Sequence, residues 1–489
     1  MIKKDYLDAS KTVSRRAFVG GLGAIAGLTL MRADHVFGDD LSGQSFEELF
    51  ALFQSTLSTT QSEHTYMSSD APIRQVTLTE AVQKSPHIGT LYNKYQASLI
   101  RHMYGHMLSS QGLDWMQNTI NLEGRFDGAA FKIYSQDVGR ASPENSQVVI
   151  NGGHFMVRSN GLRENAYALG GPISYGQQVG NNKYRVEGNA YKAHGDAVDQ
   201  FHSMLSDAEK LAAYQESPPH ELLLQTQGAA APYPGVRIGD VSDAAQEVAR
   251  EMLNTLFAGF TAAQQSDAWS ALDENGGVES LRLAMYTDYG FYEDGSRYAE
   301  LSAEQRRQRG RPYIQVWRIE GPALVIHFKG HPHVHAYMNI VRDPTKIAIG
   351  SELTNIERPL GTSATQNLLT AMLKHQTKEV LAFYPDLFLG RLSPGIVSTG
   401  SIYALDPYAN NIVVAEVVTE DMSSELAQSL LKQGVRPIAG KRYRVATIDY
   451  MLQRPDIFGQ AENATSGFGS VRETLIDFVR DQDLSRYQV

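Results

Sequence analysis

The stretch Arg311 to Asp343, RPYIQVWRIEGPALVIHFKGHPHVHAYMNIVRD, constrains the fold more than any other part of the chain. Tyr313 to Ile319 and Ala323 to Phe328 are rich in β-branched and aromatic residues, which suit a pleated, packed surface, and Gly321-Pro322 breaks between them. Lys329-Gly330-His331-Pro332 supplies a loop before a third run, Val334 to Val341. The pattern predicts three short strands joined by tight connections. Side chains alternate faces along a strand, so His333, His335 and Tyr337 project to one side, and a hairpin brings either His327 or His331 close to them. Imidazoles that converge in this way suit a borderline transition metal. The same histidines also fit half-buried, hydrogen-bonded residues around a solvated turn, and a His-x-His pair alone is a weak signal.

The chain has 489 residues, of which 42% are hydrophobic and 20% charged, enough apolar material for a sizeable core and a length that suggests two to four domains. A net charge of −10 argues against a nucleic-acid partner, because binding a phosphate backbone requires a basic face. Cysteine is absent, which removes disulfides, thiolate ligands, iron–sulfur clusters and a thiol nucleophile together. Any metal is therefore held by His, carboxylate, amide or Met.

Ser14-Arg15-Arg16-Ala17-Phe18, followed by the weakly apolar run Val19 to Met31, resembles a bacterial twin-arginine export signal. With four glycines between Val19 and Gly27, the run falls short of the roughly 20 apolar residues that span a bilayer. Residues 1–38 are read as a signal peptide cleaved near Gly38. The expected partner is the twin-arginine export machinery, the expected location periplasmic or secreted, with no stable membrane span after cleavage.

Past this segment, Phe46, Leu49, Phe50 and Phe53 recur at helical spacing, and a longer helical pattern covers His87 to about Leu108. It carries His102 and His106 at i,i+4, a spacing that can share a metal, although an amphipathic helix with Met103 and Met107 in the core explains the pattern more simply. A strand, Gln147 to Ile150, runs into Asn151-Gly152-Gly153-His154.

The succession LSSQGLDWMQNTINLEG, VVINGGHFMVR, GGPISYG, VSDAAQEVAREMLNTLFAGF, RIEGPALVIHF and HVHAYMNIVRD resembles the secreted bacterial family catalogued as domain of unknown function 3500, over residues 90 to 345. That family has Gly-His-His-Leu, a strand ending Ile-Glu-Phe, and His-Ile-His before Arg-Asp. Here Gly153-His154-Phe155 stands at the first, His327 at the position of the Glu, and His333-Val334-His335 at the third. The resemblance implies a metal set of His154, His327, His333 and His335. Arg342 and Asp343 are read as a structural ion pair.

After Pro344, a helix signal at Thr362-Ser363 with Gln366, a strand Asn411 to Val418, a helix from Asp421, a strand Tyr443 to Tyr450 and a closing helix through Val471, Leu475, Phe478 and Val479 alternate as in an α/β layer. Leu389-Gly390-Arg391-Leu392-Ser393-Pro394-Gly395, Pro407-Tyr408-Ala409-Asn410-Asn411, Tyr443-Arg444-Val445-Ala446-Thr447 and Val471-Arg472-Glu473-Thr474-Leu475 resemble the C-terminal, substrate-binding domain of the 5′-nucleotidase family. The resemblance implies that Arg391 binds the phosphate side of a substrate, that Tyr408 and Phe458 sandwich a base, that Asp456 contacts the ribose, and that Asn410 lies beside the first ring. Arg454-Pro455 stands where the family has Gly-Gly. The Asp-x-His and Gly-Asn-His-Glu signatures of the two-metal phosphoesterase domain are not found in the sequence.

The fold expected is α+β: a mixed α/β N-terminal domain over 39–346 bearing the histidine hairpin, and a smaller C-terminal α/β domain of 5′-nucleotidase C-terminal type over 349–489. Two functions follow. One is an exported hydrolase with a divalent transition metal (Zn, Mn, Cu or Fe), acting on a nucleotide-like or other phosphorylated small molecule. The other is a His-ligated copper or iron protein of redox chemistry or metal handling, with the C-terminal domain as a binding module.

Overall fold

Runs of buried β-branched and aromatic residues build one 11-stranded mixed sheet in the computed structural model of the chain. The structure describes residues 41–76, 85–123, 126–159, 161–162, 167–177, 189–292, 294–309, 312–385, 390–480 and 482–487. The predicted signal segment lies outside the described residues. Met1–Gln44 and Ser45–Val489 are separate compact units, and of the first the described part is a short 3-10 turn, Leu41–Gly43, with Gln44. Among the described residues no helix is long and apolar enough to cross a membrane.

The strands are β1 Tyr66–Ser68, β2 Ala130–Ser135, β3 Ser146–Asn151, β4 Phe155–Arg158, β5 Ile173–Gln177, β6 Tyr214–Gln215, β7 Val236–Arg237, β8 Arg282–Tyr286, β9 Gly290–Phe291, β10 Tyr313–Ile314, β11 Val316–Glu320, β12 Leu324–Lys329 and β13 Val334–Ile340. The large sheet runs β1-β2-β3-β4-β5-β13-β12-β11-β8-β6, with β7 also on β8. Its hairpin β12–β13 is the one predicted from the sequence. The run Tyr313 to Ile319, expected as one strand, divides at Gln315: β10 pairs with β9 in a separate ribbon, while β11 enters the large sheet. The helix expected from His87 to Leu108 also divides, because Asn93 forms a capping box with Gln96 and starts a new helix, Lys94–Gly105.

Register assigns the sheet two chemically different faces. Trp317, Ile326, Phe328, Ala336, Met338, Tyr175, Phe155, Ile150 and Phe131 share the apolar face. Helices cover it. Phe53 of the helix Phe46–Thr56 meets Phe131 at 5.2 Å, Tyr104 of Lys94–Gly105 meets Phe155 at 6.1 Å, and Tyr191 beside Lys192–Ser203 meets Tyr175 at 5.1 Å. The opposite face carries Arg318 and Glu320 on β11, His327 and Lys329 on β12, and His335, Tyr337 and Asn339 on β13.

That polar face is crossed by residues 217–235, a strap without regular structure between β6 and β7. A buried strap must find partners for its backbone, and the sheet supplies them. Arg318 donates to the Leu223 carbonyl, and Asn339 Nδ2 donates to that of Leu224 at 2.8 Å. On its outer side the strap meets the C-terminal residues: Ser393 Oγ donates to the Thr226 carbonyl at 2.6 Å.

The C-terminal residues have a hydrophobic core of their own, from Leu353 to Leu484. Its strands are β14 Glu352–Ile356 with β15 Gly395–Ser398, and β16 Ile412–Val418 between β17 Arg442–Ile448 and β18 Glu462–Thr465. The helices Thr362–Thr377, Thr399–Leu405, Ser424–Lys432 and Val471–Val479 alternate with them in sequence as expected, yet every named strand pair is antiparallel, so the layer is not built from parallel βαβ units. The first helix begins one residue earlier than predicted: Gly361, not Thr362-Ser363, is the N-cap and has no side chain to close the first turn. Gln366 instead donates to the Tyr384 carbonyl.

Candidate metal centre

His154, His333 and His335 come together from the two sides of β5. His333 and His335 alternate onto the polar face at the start of β13, and His154 precedes β4 in the β3–β4 turn. Gly152 makes that turn possible: its N–H donates to the Phe155 carbonyl at 2.7 Å, and a Cβ there would lie 2.3 Å from the Phe155 ring. Between the two groups, Gly176 of β5 lies opposite His335 and carries no side chain to separate them; a Cβ there would lie 2.2 Å from the Val334 carbonyl oxygen. Ring centroids are 5.0 Å apart for His154 and His333, 5.1 Å for His154 and His335, and 4.5 Å for His333 and His335.

One ring nitrogen from each of the three lies within 4.8 Å of the others, and all three residues are half-buried. Ligands about 2.0–2.1 Å from a shared ion lie at most roughly 4.2 Å apart, so small imidazole rotations close the set. Nε2 of His333 and Nε2 of His335 are 2.7 Å apart. Two imidazole nitrogens at that distance need a proton or a cation between them.

Glu221, from the strap, fixes the tautomer of one of the two rings. Its Oε1 accepts from His335 Nδ1 at 3.1 Å, so Nδ1 holds the proton and the Nε2 lone pair points at His333. A carboxylate on the distal nitrogen of a ligating His is the usual outer-shell arrangement of a metal centre. Burial alone would raise the Glu221 pKa, but the hydrogen bond and charge of His335, with Lys329 at 3.1 Å, hold it well below the ordinary carboxylate range. Burial, then the neighbouring charges of His335 and His154, pushes the His333 imidazole down to about 4, so the ring is neutral with a lone pair to offer near pH 7. Next in the strap, His220 Nδ1 accepts the Leu222 N–H at 3.3 Å, which puts its proton on Nε2, 3.4 Å from the Tyr408 hydroxyl. Tyr337 adds a hydroxyl 3.5 Å from Glu221, and burial, then the Glu221 charge, raises its pKa well above the usual phenol value.

His327 is not in this set, which corrects the expected four-histidine cluster. The register of β12 on β13 places Lys329, not His327, opposite His335; His327 faces Tyr337, two residues and so about 6.7 Å further along the strand. It is 1% exposed, and burial, then the Arg318 charge, drives its pKa well below the ordinary imidazole value. His331 packs its ring on Phe291 at 4.5 Å, outside the group. His102 Nδ1 lies 2.8 Å from the Ser98 carbonyl one turn earlier in its own helix, and neither it nor His106 joins a metal group among the described residues.

The C-terminal candidates do not line one cleft. Arg391 Nη1 donates to Glu320 Oε1 at 2.9 Å, and Arg318 Nε donates to the other oxygen at 3.0 Å, a buried arginine–glutamate–arginine cluster. Glu320 faces Val325, which faces Asn339, four residues from His335 and so about 13 Å along the strand. Phe458 is 0% exposed and packs on Phe383 at 5.8 Å, leaving no ring face for a base. Asp456 is exposed and engaged by Arg454 at 2.7 and 2.9 Å, the arginine standing where the family has glycine. Asn410 donates to Asp406 at 3.2 Å. Of the five, Tyr408 reaches the histidine region, through His220. Arg342 pairs with Asp267 and Asp343 with Lys346, so the two form ion pairs with other residues.

Glu221 and His220 escaped the sequence reading because the strap has no periodicity; the signal available was an ionisable pair after Pro218-Pro219 and before the apolar Leu222-Leu223-Leu224. No family model matches the chain, and no curated protein matches it. Among solved structures, the chain is similar to a 5′-nucleotidase precursor from Thermus thermophilus at 12% identity and TM-score 0.23, over 35% of this chain and 48% of that one. It is similar as well to a structure from Staphylococcus aureus assigned as a 5′-nucleotidase, in complex with alpha-ketoglutarate, at 11% identity and TM-score 0.21, over 36% and 49%. The chain spans about half the length of each, and scores of this size carry no argument about fold or activity.

Proposed function

We propose that this chain is an exported metal-dependent hydrolase whose metal is held by His154, His333 and His335, and that it acts on a phosphorylated, nucleotide-like small molecule. The observation that carries the reading is the three-imidazole set with the His335 tautomer fixed by Glu221. Three neutral nitrogen donors suit zinc and other borderline divalent ions, and a three-protein-ligand set leaves room for water and substrate. When bound, such a metal lowers the pKa of a water and polarises the bond to be cleaved.

The chain's own residues do the rest. Glu221 orients His335 and raises the basicity of its Nε2 through the shared proton at Nδ1. Lys329 neutralises Glu221 from the other side. Tyr408, held by His220, brings a C-terminal hydroxyl to the edge of this network and is the residue through which the C-terminal core would meet the substrate. The signal read at Ser14 to Met31 supports export by the twin-arginine machinery to the periplasm or the medium.

Elemental analysis of the exported protein, with phosphate release from nucleotides and sugar phosphates as the activity readout, tests the reading. Zinc or manganese at one ion per chain with metal-dependent phosphate release supports it. Copper with oxidant-dependent turnover and no hydrolysis replaces it with the redox reading, and a protein that takes up no metal ends both.

A further inference from the structure

One nitrogen of Arg391, the arginine to which the C-terminal resemblance gives the phosphate, is spent on Glu320, and a different place in the structure also offers donors to an oxyanion. A cavity of about 380 Å³ lies beside the metal centre between the strap, the polar sheet face and the start of the helix Thr362–Thr377. Its walls include His220 and Glu221 from the strap, His327 and Lys329 from β12, and Thr362 from the helix. The volume is in the range of small-molecule sites.

Three observations make this cavity an anion site. The first is the helix: 16 residues long, it is preceded by the N-cap Gly361, which has no side chain to cap the first turn, and its first residue, Thr362, lies on the cavity wall. The second is independent of it. His327 is 1% exposed, lines the same cavity, and its Nδ1 has no hydrogen-bond partner among the described residues. A buried polar nitrogen without a partner costs about 1–3 kcal/mol, a cost that a bound group with a hydrogen bond to give or accept removes. The third is Lys329, whose ammonium spends one donor on Glu221 Oε2 and has others to give.

Glu221, the carboxylate on the wall, accepts from Lys329 at Oε2 and from His335 and Tyr337 at Oε1, and the Lys329 ammonium offsets its charge. Val316, Leu223, Tyr289 and Pro218 complete the wall with apolar surface. A group with three or four acceptor oxygens and an organic remainder matches such a lining.

We propose that this cavity binds the phosphate group of a small organic phosphate, with its oxygens on Lys329, His327 and Thr362, the phosphorus on the side of Glu221 and the three histidines, and the organic remainder against Val316, Leu223, Tyr289 and Pro218. The proposal deepens the hydrolase reading and rests on it for the catalytic consequence, whereas phosphate binding itself requires no metal.

The test is calorimetric titration of the full-length protein with inorganic phosphate, before and after chelation, with chloride as the matched control salt. Saturable phosphate binding that survives chelation is expected. Lys329→Met should weaken it by about tenfold or more, the effect of one charge-assisted hydrogen bond. His327→Gln, which keeps a donor and much of the volume, should weaken it less, and circular dichroism of both variants checks that they fold. Titration of His333→Ala/His335→Ala with phosphate separates the two ideas. If phosphate binding disappears with the metal, the ion and not the cavity held it, and the cavity proposal fails while the hydrolase reading stands. If binding persists in the metal-free variant, the cavity proposal stands; if the wild-type protein itself takes up no metal and still binds phosphate, the hydrolase reading fails and the cavity stands. Wild-type affinity in both Lys329→Met and His327→Gln overturns the proposal outright.

Discussion

Two charged clusters share one face of the large sheet and differ in almost everything else. In the cluster of Arg318, Glu320 and Arg391 the carboxylate is 3% exposed, and each of its oxygens is bonded. His154, His333, His335 and Glu221 are half-open, and two nitrogens face each other at 2.7 Å. Both clusters are covered by the strap, and both are reached from the C-terminal residues, one by Arg391 and the other by Tyr408 through His220. The difference is one of completion. In the first both oxygens of the carboxylate are matched by arginines inside the chain, so the cluster ties the two cores together; in the second three imidazoles converge with one hydrogen bond between two of them, and a cation is what would complete the set.

The sharpest way to break this contrast is His333→Ala/His335→Ala. It should abolish metal uptake, read by elemental analysis, and leave the denaturation midpoint close to wild type. A large loss of stability would mean that this cluster is structural after all. The reciprocal change, Glu320→Gln, leaves two buried guanidinium groups facing a neutral amide. It should destabilise by about 3–5 kcal/mol in urea unfolding, with metal content unchanged.

The same carboxylate carries a pH signature. Burial by itself would raise the Glu320 pKa, but Arg318 and Arg391 bring it below its ordinary 4.5. A depressed carboxylate stabilises the folded chain fully above its unfolded value and loses that contribution as pH falls through the folded one. Wild-type stability should therefore fall below about pH 4.5, and Glu320→Gln should flatten that limb.

Glu221→Gln sharpens the other side of the comparison. It should lower metal affinity by roughly 10–100-fold, the usual cost of losing an outer-shell carboxylate, with little effect on folding at neutral pH. The smallest effect is expected at Asp456, whose exposed pair with Arg454 touches neither cluster. Asp456→Asn should leave stability, metal content and phosphate binding where they are, and a loss of substrate affinity there would restore the ribose role implied by resemblance.

What the sequence by itself determined is local and periodic. Alternation along His333 to Val341 put His333 and His335 on one face, and the spacing of Leu49, Phe50 and Phe53 marked a buried helix face; both follow from the period of a single element. Absent cysteine limited the ligand types before any fold was known. Tertiary structure decided the rest, because the decisive facts are relations between elements far apart in sequence. Whether Lys329 or His327 sits opposite His335 is a matter of strand register, which no single strand contains. Glu221 is 114 residues from His335 and lies on a strap without periodicity, so no pattern could announce it. Arg391 and Phe458 carried the family's residue types at the family's positions. One is taken by Glu320 and the other by the core, because a side chain's role is set by which partners reach it first, and those partners are chosen by packing.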